Sequence, residues 1–498
     1  MPRYAQKPRG EGFAQSRACF AELEEWLWGV ATGGLTHAEL EEQLDERGRE
    51  LLRQLHQDHL DLRAAREDRR TEVTGAEGIT RTRVETSHRR QLVTVFGQVT
   101  VARMAYRAPG AANLHPADAA LNLPEEKHSH GLRKLAAIES ARGSFGSAAA
   151  AITRATGTTV GKRQVEELAR RAAADVDAFY AARRPAPRPD DQLLVLTFDG
   201  KGIVMRPGAL RPATARAAAS ARCKLATRLS PGEKHGRKRM AELAAVYDAV
   251  PAPRAACDII RFTGQDRHPR KRGPAAEGKW LTASVTEDIA AVIATGFDEA
   301  QRRDPGHRRT WVALVDGNAT QIEAITTEAK RRHVTVHIIC DFIHVLEYLW
   351  KAAWSFFCPG DPDAQEWVAA RAVKILEGKT AAVAAGIRRR ASTFGYADAE
   401  REGADAYAGY LTAKKPCLDY ATSLARGWPV ATGVIEGACR HLVKDRMDIT
   451  GARWGLDGAE AILKLRALIA SGDFSEYWPF HLRQEHQRVH RSRYGLAA

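Results

Sequence analysis

The chain has 498 residues, 44% hydrophobic and 27% charged, ordinary values for a globular protein with a sizeable buried core and roughly two to four domains. Its charge is less ordinary: 75 Lys and Arg against 61 Asp and Glu give a net +14 and a pI near 9.5, which favours a polyanionic partner, nucleic acid above all. No apolar run of about 18 residues is present to span a bilayer, no apolar h-region opens the chain, and the seven cysteines form no C-x-x-C pair, so a membrane span, a signal peptide, a disulfide frame and a zinc ribbon are all disfavoured.

In chain order, residues 12 to 70 read as helix. "LTHAELEEQLDERGRELLRQLHQDHLDLRAAREDRR" places Leu40, Leu44, Leu51, Leu55 and Leu62 at spacings of four, seven, four and seven, the pattern of a packed or self-associating helix. From Arg89, "RRQLVTVFGQVTVARMAYR" reads as two β-rich runs around Gly97, hence a hairpin, and "APGAANLHPADAALNLP" as a turn-rich linker. Residues 133–185 return to helix. Within them "SAAAAITRATGTTVGKRQVEELARRAA" predicts a short helix, a turn from Thr156 to Gly161, and a second helix starting near Lys162. That is the layout of a helix-turn-helix, with Lys162, Arg163 and Gln164 where base edges are read; a plain helical hairpin has the same pattern. "RRPAPRPDD" (183–191) is a proline-rich linker and the clearest domain boundary.

Beyond the linker the pattern becomes α/β. Strand signals fall at 193–198, 240–250, 311–315 and 334–340, and helical stretches at 286–302, 320–332 and 342–357. Between 361 and 428 the strand signals vanish, so a helical segment interrupts a domain that resumes at "WPVATGVIEGACRHLVKDRM". The expected division is 1–75 helical, 76–132 hairpin module and linker, 133–185 helix-turn-helix-like, and 190–360 α/β. It continues with 361–428 as helical insertion, 429–470 as final helices and 471–498 as a basic tail.

Three apolar runs each end in an aspartate: "VLTFDGKGI" at Asp199, "WVALVDGNA" at Asp316 and "VHIICDFIH" at Asp341. Asp-Gly after such a run is first a turn signal. Segments 193–198 and 311–315, however, are almost continuously apolar, as strands buried on both faces are. Acids at the ends of such strands are gathered by the sheet, and gathered carboxylates repel unless a hard divalent cation bridges them. Glu436 is a candidate third ligand in the first turn of a helix from about Gly433 to Met447. Its face continues through Arg440 and Lys444, with Arg446 and Arg453 beside it. An acid at the head of a basic strip suits a cation next to a phosphate backbone, although a first-turn glutamate paired with Arg440 at i+4 is also ordinary helix chemistry.

"FDGKG", "LVDGNATQ" and "GVIEGACRHLVKDRMDITGARWGLDGAEAILKLRAL" together resemble the DDE transposases of bacterial insertion sequences, nearest to the ISKra-type family and more distantly to Mutator-like transposases. The resemblance covers residues 35 to 470 or so, and the block around Glu436 is its most specific part. It implies a ribonuclease-H-like catalytic domain interrupted by an all-helical insertion, preceded by mostly helical DNA-binding modules with a β-hairpin. Asp199, Asp316 and Glu436 are then ligands of two Mg²⁺ or Mn²⁺ ions roughly 3.5–4 Å apart, with Asp199 bridging both. Separations of 117 residues between Asp199 and Asp316 and 120 between Asp316 and Glu436 leave room for the insertion in the second gap. "CDFIHVLEYLW" resembles the D-x-x-H motif of the superfamily and makes Asp341 and His344 a supporting pair behind the ligands, with Asp341 also placed to cap the following helix. Relatives often carry paired cysteines after the hairpin, and "YRAPGAANLHPADAALNLP" has none; if zinc supports that module in relatives, this copy does without it.

The resemblance implies an enzyme that cleaves double-stranded DNA at the element's terminal inverted repeats and joins the freed 3′-hydroxyl to target DNA, working as a homodimer or larger assembly, cytoplasmic and nucleoid-associated. The run 206–239 adds Arg206, Arg211, Arg216, Arg222, Lys224, Arg228, Lys234, Arg237, Lys238 and Arg239 against the single acid Glu233, a stretch that should attract phosphates. Two alternatives remain open on sequence: a nuclease or resolvase of the same fold that cuts without joining, and a non-catalytic DNA-binding remnant.

Overall fold

The computed structural model describes residues 11–220, 237–261, 269–449 and 451–494; Arg222, Lys224, Arg228 and Lys234 of the basic run lie outside the described residues. The chain divides into two units, Met1–Ala181 with Asp473–Ala498, and Ala182–Gly472.

In the first unit, helices α1 (Ala14–Trp28) and α2 (His37–Ala65) fall within residues 12–70, and the leucine pattern lies in α2. At the start of α2, Thr36 N–H donates to Glu39 Oε2 at 2.8 Å and Glu39 N–H to Thr36 Oγ1 at 3.3 Å, which satisfies amides a helix start leaves unpaired. The hairpin is β1 (Arg83–Thr94) and β2 (Gly97–Arg107), antiparallel from Arg83↔Arg107 to Thr94↔Gly97. Gly97 turns it at φ 115°, a conformation side-chain-bearing residues rarely adopt. Leu92, Val99 and Val101 from the hairpin form one core cluster with Leu60 and Leu123. Helices α3 (His130–Arg142), α4 (Phe145–Thr156) and α5 (Lys162–Ala172) form a second around Leu132, Ile152, Val165 and Leu168. The second helix of the pair therefore begins at Lys162.

Residues 471–498, expected as a basic tail, are a correction. They contain the helix Phe474–Val489, which belongs to the first unit. Tyr477, Trp478 and His481 are buried, and His481 Nδ1 lies 2.7 Å from Asp175 Oδ2. Arg133, with no exposed side-chain area, forms ion pairs with both Glu126 and Glu485. The segment's local charge suggests a solvated tail; its burial depends on partners hundreds of residues upstream, which a local reading cannot register.

The second unit is mixed α/β. Its strands are β3 (Leu193–Val204), β4 (Lys238–Ala249), β5 (Ala276–Ser284), β6 (Trp311–Val315) and β7 (Val336–Cys340). They form one sheet in the order β5-β4-β3-β6-β7, with β4 antiparallel to both neighbours and β3, β6 and β7 parallel. Leu193 to Phe198 and Trp311 to Val315 are buried at every position, as continuous apolar runs demand. The edge strand β5 ("AEGKWLTAS") has no strand signal in the sequence reading because its first half is largely exposed and polar. Helices α6 (Ile289–Arg303), α7 (Ala319–Arg331) and α8 (Phe342–Ala353) connect or follow the parallel strands. The insertion is helical throughout its elements: α9 (Pro362–Leu376), α10 (Thr380–Thr393), α11 (Asp398–Ala413) and a short turn of helix at Tyr420–Ala425. The chain then returns in α12 (Gly433–Ala438), runs on through a wider π-type turn at Cys439–Lys444 to Met447, and ends the unit in α13 (Leu456–Ala470). Among the described residues no helix is long and apolar enough to cross a membrane.

Candidate metal site

The parallel register answers why three strands each deliver an aspartate. Thr197 of β3 pairs with Leu314 of β6, and two residues further on stand Asp199 and Asp316. Val315 of β6 pairs with Cys340 of β7, and one residue further on stand Asp316 and Asp341. The register thus puts the three acids at corresponding positions at the same end of three neighbouring strands, although among the described residues Asp199, Asp316 and Glu436 do not themselves come together as a close three-ligand group. Asp341 N–H donates to Val315 O at 2.7 Å, which ties the row together on one side.

Each carboxylate has a different local task. Asp316 Oδ1 accepts from Asn318 N–H at 2.7 Å, and Asn318 in turn caps α7. Asp199 Oδ1 accepts from Gly200 N–H at 2.7 Å, while Oδ2 accepts from the Cys439 thiol at 3.1 Å. Burial, then the Asp199 charge, pushes the Cys439 thiol up, so it stays protonated and can donate. Asp341 is fully buried: Oδ1 accepts from Ile343 N–H at 2.7 Å, capping α8, and Oδ2 accepts from Thr432 N–H at 3.1 Å and from the Thr432 hydroxyl. The same hydroxyl lies 3.4 Å from Glu436 Oε1.

Glu436 sits in α12, one turn after Thr432, whose hydroxyl donates to Asp341 and lies 3.4 Å from Glu436 Oε1; a wide turn follows α12. A π-type turn leaves backbone carbonyls without their usual helical donors, and such turns recur at functional sites. Here Arg466 of α13 donates to the carbonyls of Leu442 and His441. The result keeps Cys439 buried against Asp199 and leaves Glu436, Arg440 and Lys444 exposed. Arg440 does not pair with Glu436 as the i,i+4 spacing suggests; its nearest acid is Asp445, at 3.9 Å.

Asp341, His344 and Glu436 form a group that could hold a metal ion, each offering a ligand atom within 4.8 Å of the others. His344 is half-buried, with Nδ1 3.4 Å from Glu347. A donor set of carboxylate oxygens with one imidazole fits Mg²⁺ poorly at the nitrogen and Mn²⁺ well. The Asp199 and Asp316 carboxylates offer oxygen alone.

The cations of the sequence reading fare unequally. Lys162 and Arg163 are exposed at the start of α5. Gln164 is a correction: its Oε1 accepts from Gly161 N–H at 3.0 Å, so the side chain closes the helix start instead of standing free for a base edge. Lys238 is exposed, 3.9 Å from Asp448, and Arg237 is half-buried. Arg239 is a second correction, because its guanidinium donates to the carbonyls of Val285 at 2.6 Å, Ala209 at 3.3 Å and Thr286 at 3.3 Å. Arg446 is a third. It is 3% exposed and stacked 4.7 Å over the Trp454 ring, and burial lowers its pKa to about 10. Arg453 is exposed.

Glu242 escaped the sequence reading. It lies across from Gly200 in β4, where a methyl added to Gly200 would meet Glu242 Oε2 at 2.8 Å. Burial, with the charges of Asp199 and Asp288, holds its carboxyl above the usual glutamate range against the pull of Arg211. An acid inside the apolar run "MAELAAVYDAV" was the one signal for it. Cys439 and Thr432 had none, since a thiol or hydroxyl acquires its role only from what the fold sets against it.

Among known proteins, no family model matches this sequence, and no curated protein is similar enough to match.

Proposed function

We propose that the protein is a DNA-cleaving and DNA-joining enzyme of the transposase type, with a ribonuclease-H-like catalytic domain in its second unit. The observation that carries this is the row of Asp199, Asp316 and Asp341 at one end of three parallel strands, with Glu436 beside Asp341 after a helical insertion. Carboxylates so gathered repel one another unless cations neutralise them. Two divalent ions, Mg²⁺ or Mn²⁺, would be held by Asp199, Asp316 and Glu436, with Asp341 and His344 supporting them. When bound, such ions supply charge neutralisation at a scissile phosphate and a more acidic attacking hydroxyl or water.

The chain's own residues then do the rest. Arg440, Lys444, Lys238 and Arg453 are exposed cations, the first two on the face of Glu436, and they suit a phosphate backbone. In the first unit, Lys162 and Arg163 head α5 at the position from which a second helix reads the major groove. The substrate proposed is double-stranded DNA bearing the element's terminal repeats, and then target DNA, in an assembly of two or more copies. The net charge of +14 suits that partner.

The test is purified full chain with duplex element ends and Mg²⁺, resolved on a sequencing gel. Cleavage at the element end with a free 3′-hydroxyl, followed by products joined to target DNA, is expected. Asp199→Ala, Asp316→Ala and Glu436→Ala should each abolish both steps. Robust cleavage in EDTA sinks the proposal, and cleavage with no joined product reduces it to a nuclease.

A further inference from the structure

The trio of acids that the sequence suggests is not the group the fold closes. Asp341, His344 and Glu436 each present a ligand atom within 4.8 Å of the other two, and among the described residues no other three His, Cys, Asp or Glu side chains gather in this way. Local structure accounts for the arrangement. Asp341 directly follows β7 and caps α8, and His344 lies in the first turn of that helix. Glu436 arrives on α12, one turn after Thr432. The Thr432 hydroxyl donates to Asp341 and lies 3.4 Å from Glu436 Oε1, so a single side chain holds both carboxylates in place.

The charge of Asp341 lacks a counterpart. Its carboxylate is fully buried, and its three donors (Ile343 N–H, Thr432 N–H and the Thr432 hydroxyl) are all uncharged. Among the described residues no lysine or arginine pairs with it. Buried charges in proteins are paired or coordinate metals. Three donors leave one of about four lone-pair sites free for that purpose. His344 is half-buried and Glu436 exposed, so the group is open to solvent on one side and an ion can enter. His344 Nδ1 also lies 3.4 Å from Glu347 Oε2. A carboxylate beside an imidazole fixes which nitrogen keeps its proton, the usual support of a metal-bound histidine.

We infer that Asp341, His344 and Glu436 bind one divalent transition-metal ion directly, through two carboxylates and an imidazole, in preference to Mg²⁺. Imidazole suits transition ions, whereas Mg²⁺ takes oxygen ligands. Asp341 then has two tasks, anchoring the fold through its donors and meeting the ion. The inference goes beyond a supporting place for Asp341 and His344, and it makes the two ion positions unlike, one bearing nitrogen around Glu436 and one with oxygen alone at Asp199 and Asp316. It rests on the reading of Glu436 as a cation ligand and not on DNA cleavage.

The test is Mn²⁺ binding to the full-length chain without DNA, in excess Mg²⁺. Electron paramagnetic resonance gives the occupancy, and spin-echo modulation shows whether a nitrogen is bound to the ion. One Mn²⁺ with imidazole-nitrogen modulation is expected. His344→Gln should remove the modulation and raise half-saturation by about tenfold or more, while Asp199→Ala with Asp316→Ala should change neither for this ion. Mn²⁺ bound to the wild-type chain without nitrogen modulation overturns the inference and requires no variant. So does an ion lost from the Asp199→Ala, Asp316→Ala protein but kept by His344→Gln, and so does a chain that takes up no Mn²⁺ in the presence of Mg²⁺. A chain that binds Mn²⁺ through His344 but leaves DNA uncut sinks the proposed function instead and leaves this site standing.

Discussion

Asp341→Ala should separate an acid that holds the fold from acids that hold a cation. The Asp341 carboxylate is fully buried and accepts from three donors: Ile343 N–H, Thr432 N–H and the Thr432 hydroxyl. Loss of the helix cap costs about 1 kcal/mol. Leaving a buried amide and a buried hydroxyl without their acceptor costs about 1–3 kcal/mol each. The sum is about 3–7 kcal/mol, a fall in melting temperature on the order of 10 °C or more for a unit of this size. Asp199 and Glu436 have no such network: Asp199 accepts one thiol and its own neighbour's amide, and Glu436 is exposed. Their alanine variants should lose under about 1 kcal/mol and gain where like-charge repulsion is relieved. Calorimetry and urea unfolding on the three variants make the comparison. An Asp341→Ala protein melting within about 2 °C of wild type refutes the reasoning, as does an Asp199→Ala protein that falls as far.

Four further outcomes are expected. A fragment ending at the linker, residues 1–182, lacks the helix Phe474–Val489 and so leaves Arg133 without Glu485 and Asp175 without His481; breaking buried pairs costs about 3–5 kcal/mol, so its melt should be broad or absent until residues 473–498 are supplied in the same chain. His130, whose pKa is lowered to about 4, mainly by burial, binds its proton less readily folded than unfolded. Stability should therefore fall as pH drops from about 6.5 to about 4, by on the order of 3 kcal/mol, and His130→Gln should flatten that limb in urea titrations at several pH values. Lys162→Ala with Arg163→Ala should cost about 1–3 kcal/mol of discrimination for each base those side chains read, measured between specific and scrambled ends in gel shifts at two salt concentrations. Arg239→Ala and Arg446→Ala should instead lower the melting temperature, and full discrimination by the 162–163 variant makes α4 and α5 a structural hairpin.

The sequence by itself determined the local elements and the acids. Continuous apolar runs at 193–198 and 311–315 can be stable only as strands covered on both faces, and both are buried at every position. The switch from strand to helical patterning after 361 located the insertion, because helical and strand periods differ along the chain without reference to anything distant. Lys162 as a helix start and Gly97 as a hairpin turn are likewise matters of neighbouring residues. Only the tertiary structure decided which side chains meet. The row of three aspartates depends on strand order and register, which join residues more than a hundred positions apart. Arg446 and Arg239 read as free cations until Trp454 and the carbonyls of Val285, Ala209 and Thr286 claim them. The final helix looks like a tail until Arg133 and Asp175 bury it. Charge and periodicity are properties of a segment; burial and partnership are properties of the fold, because desolvation depends on every element that covers a group.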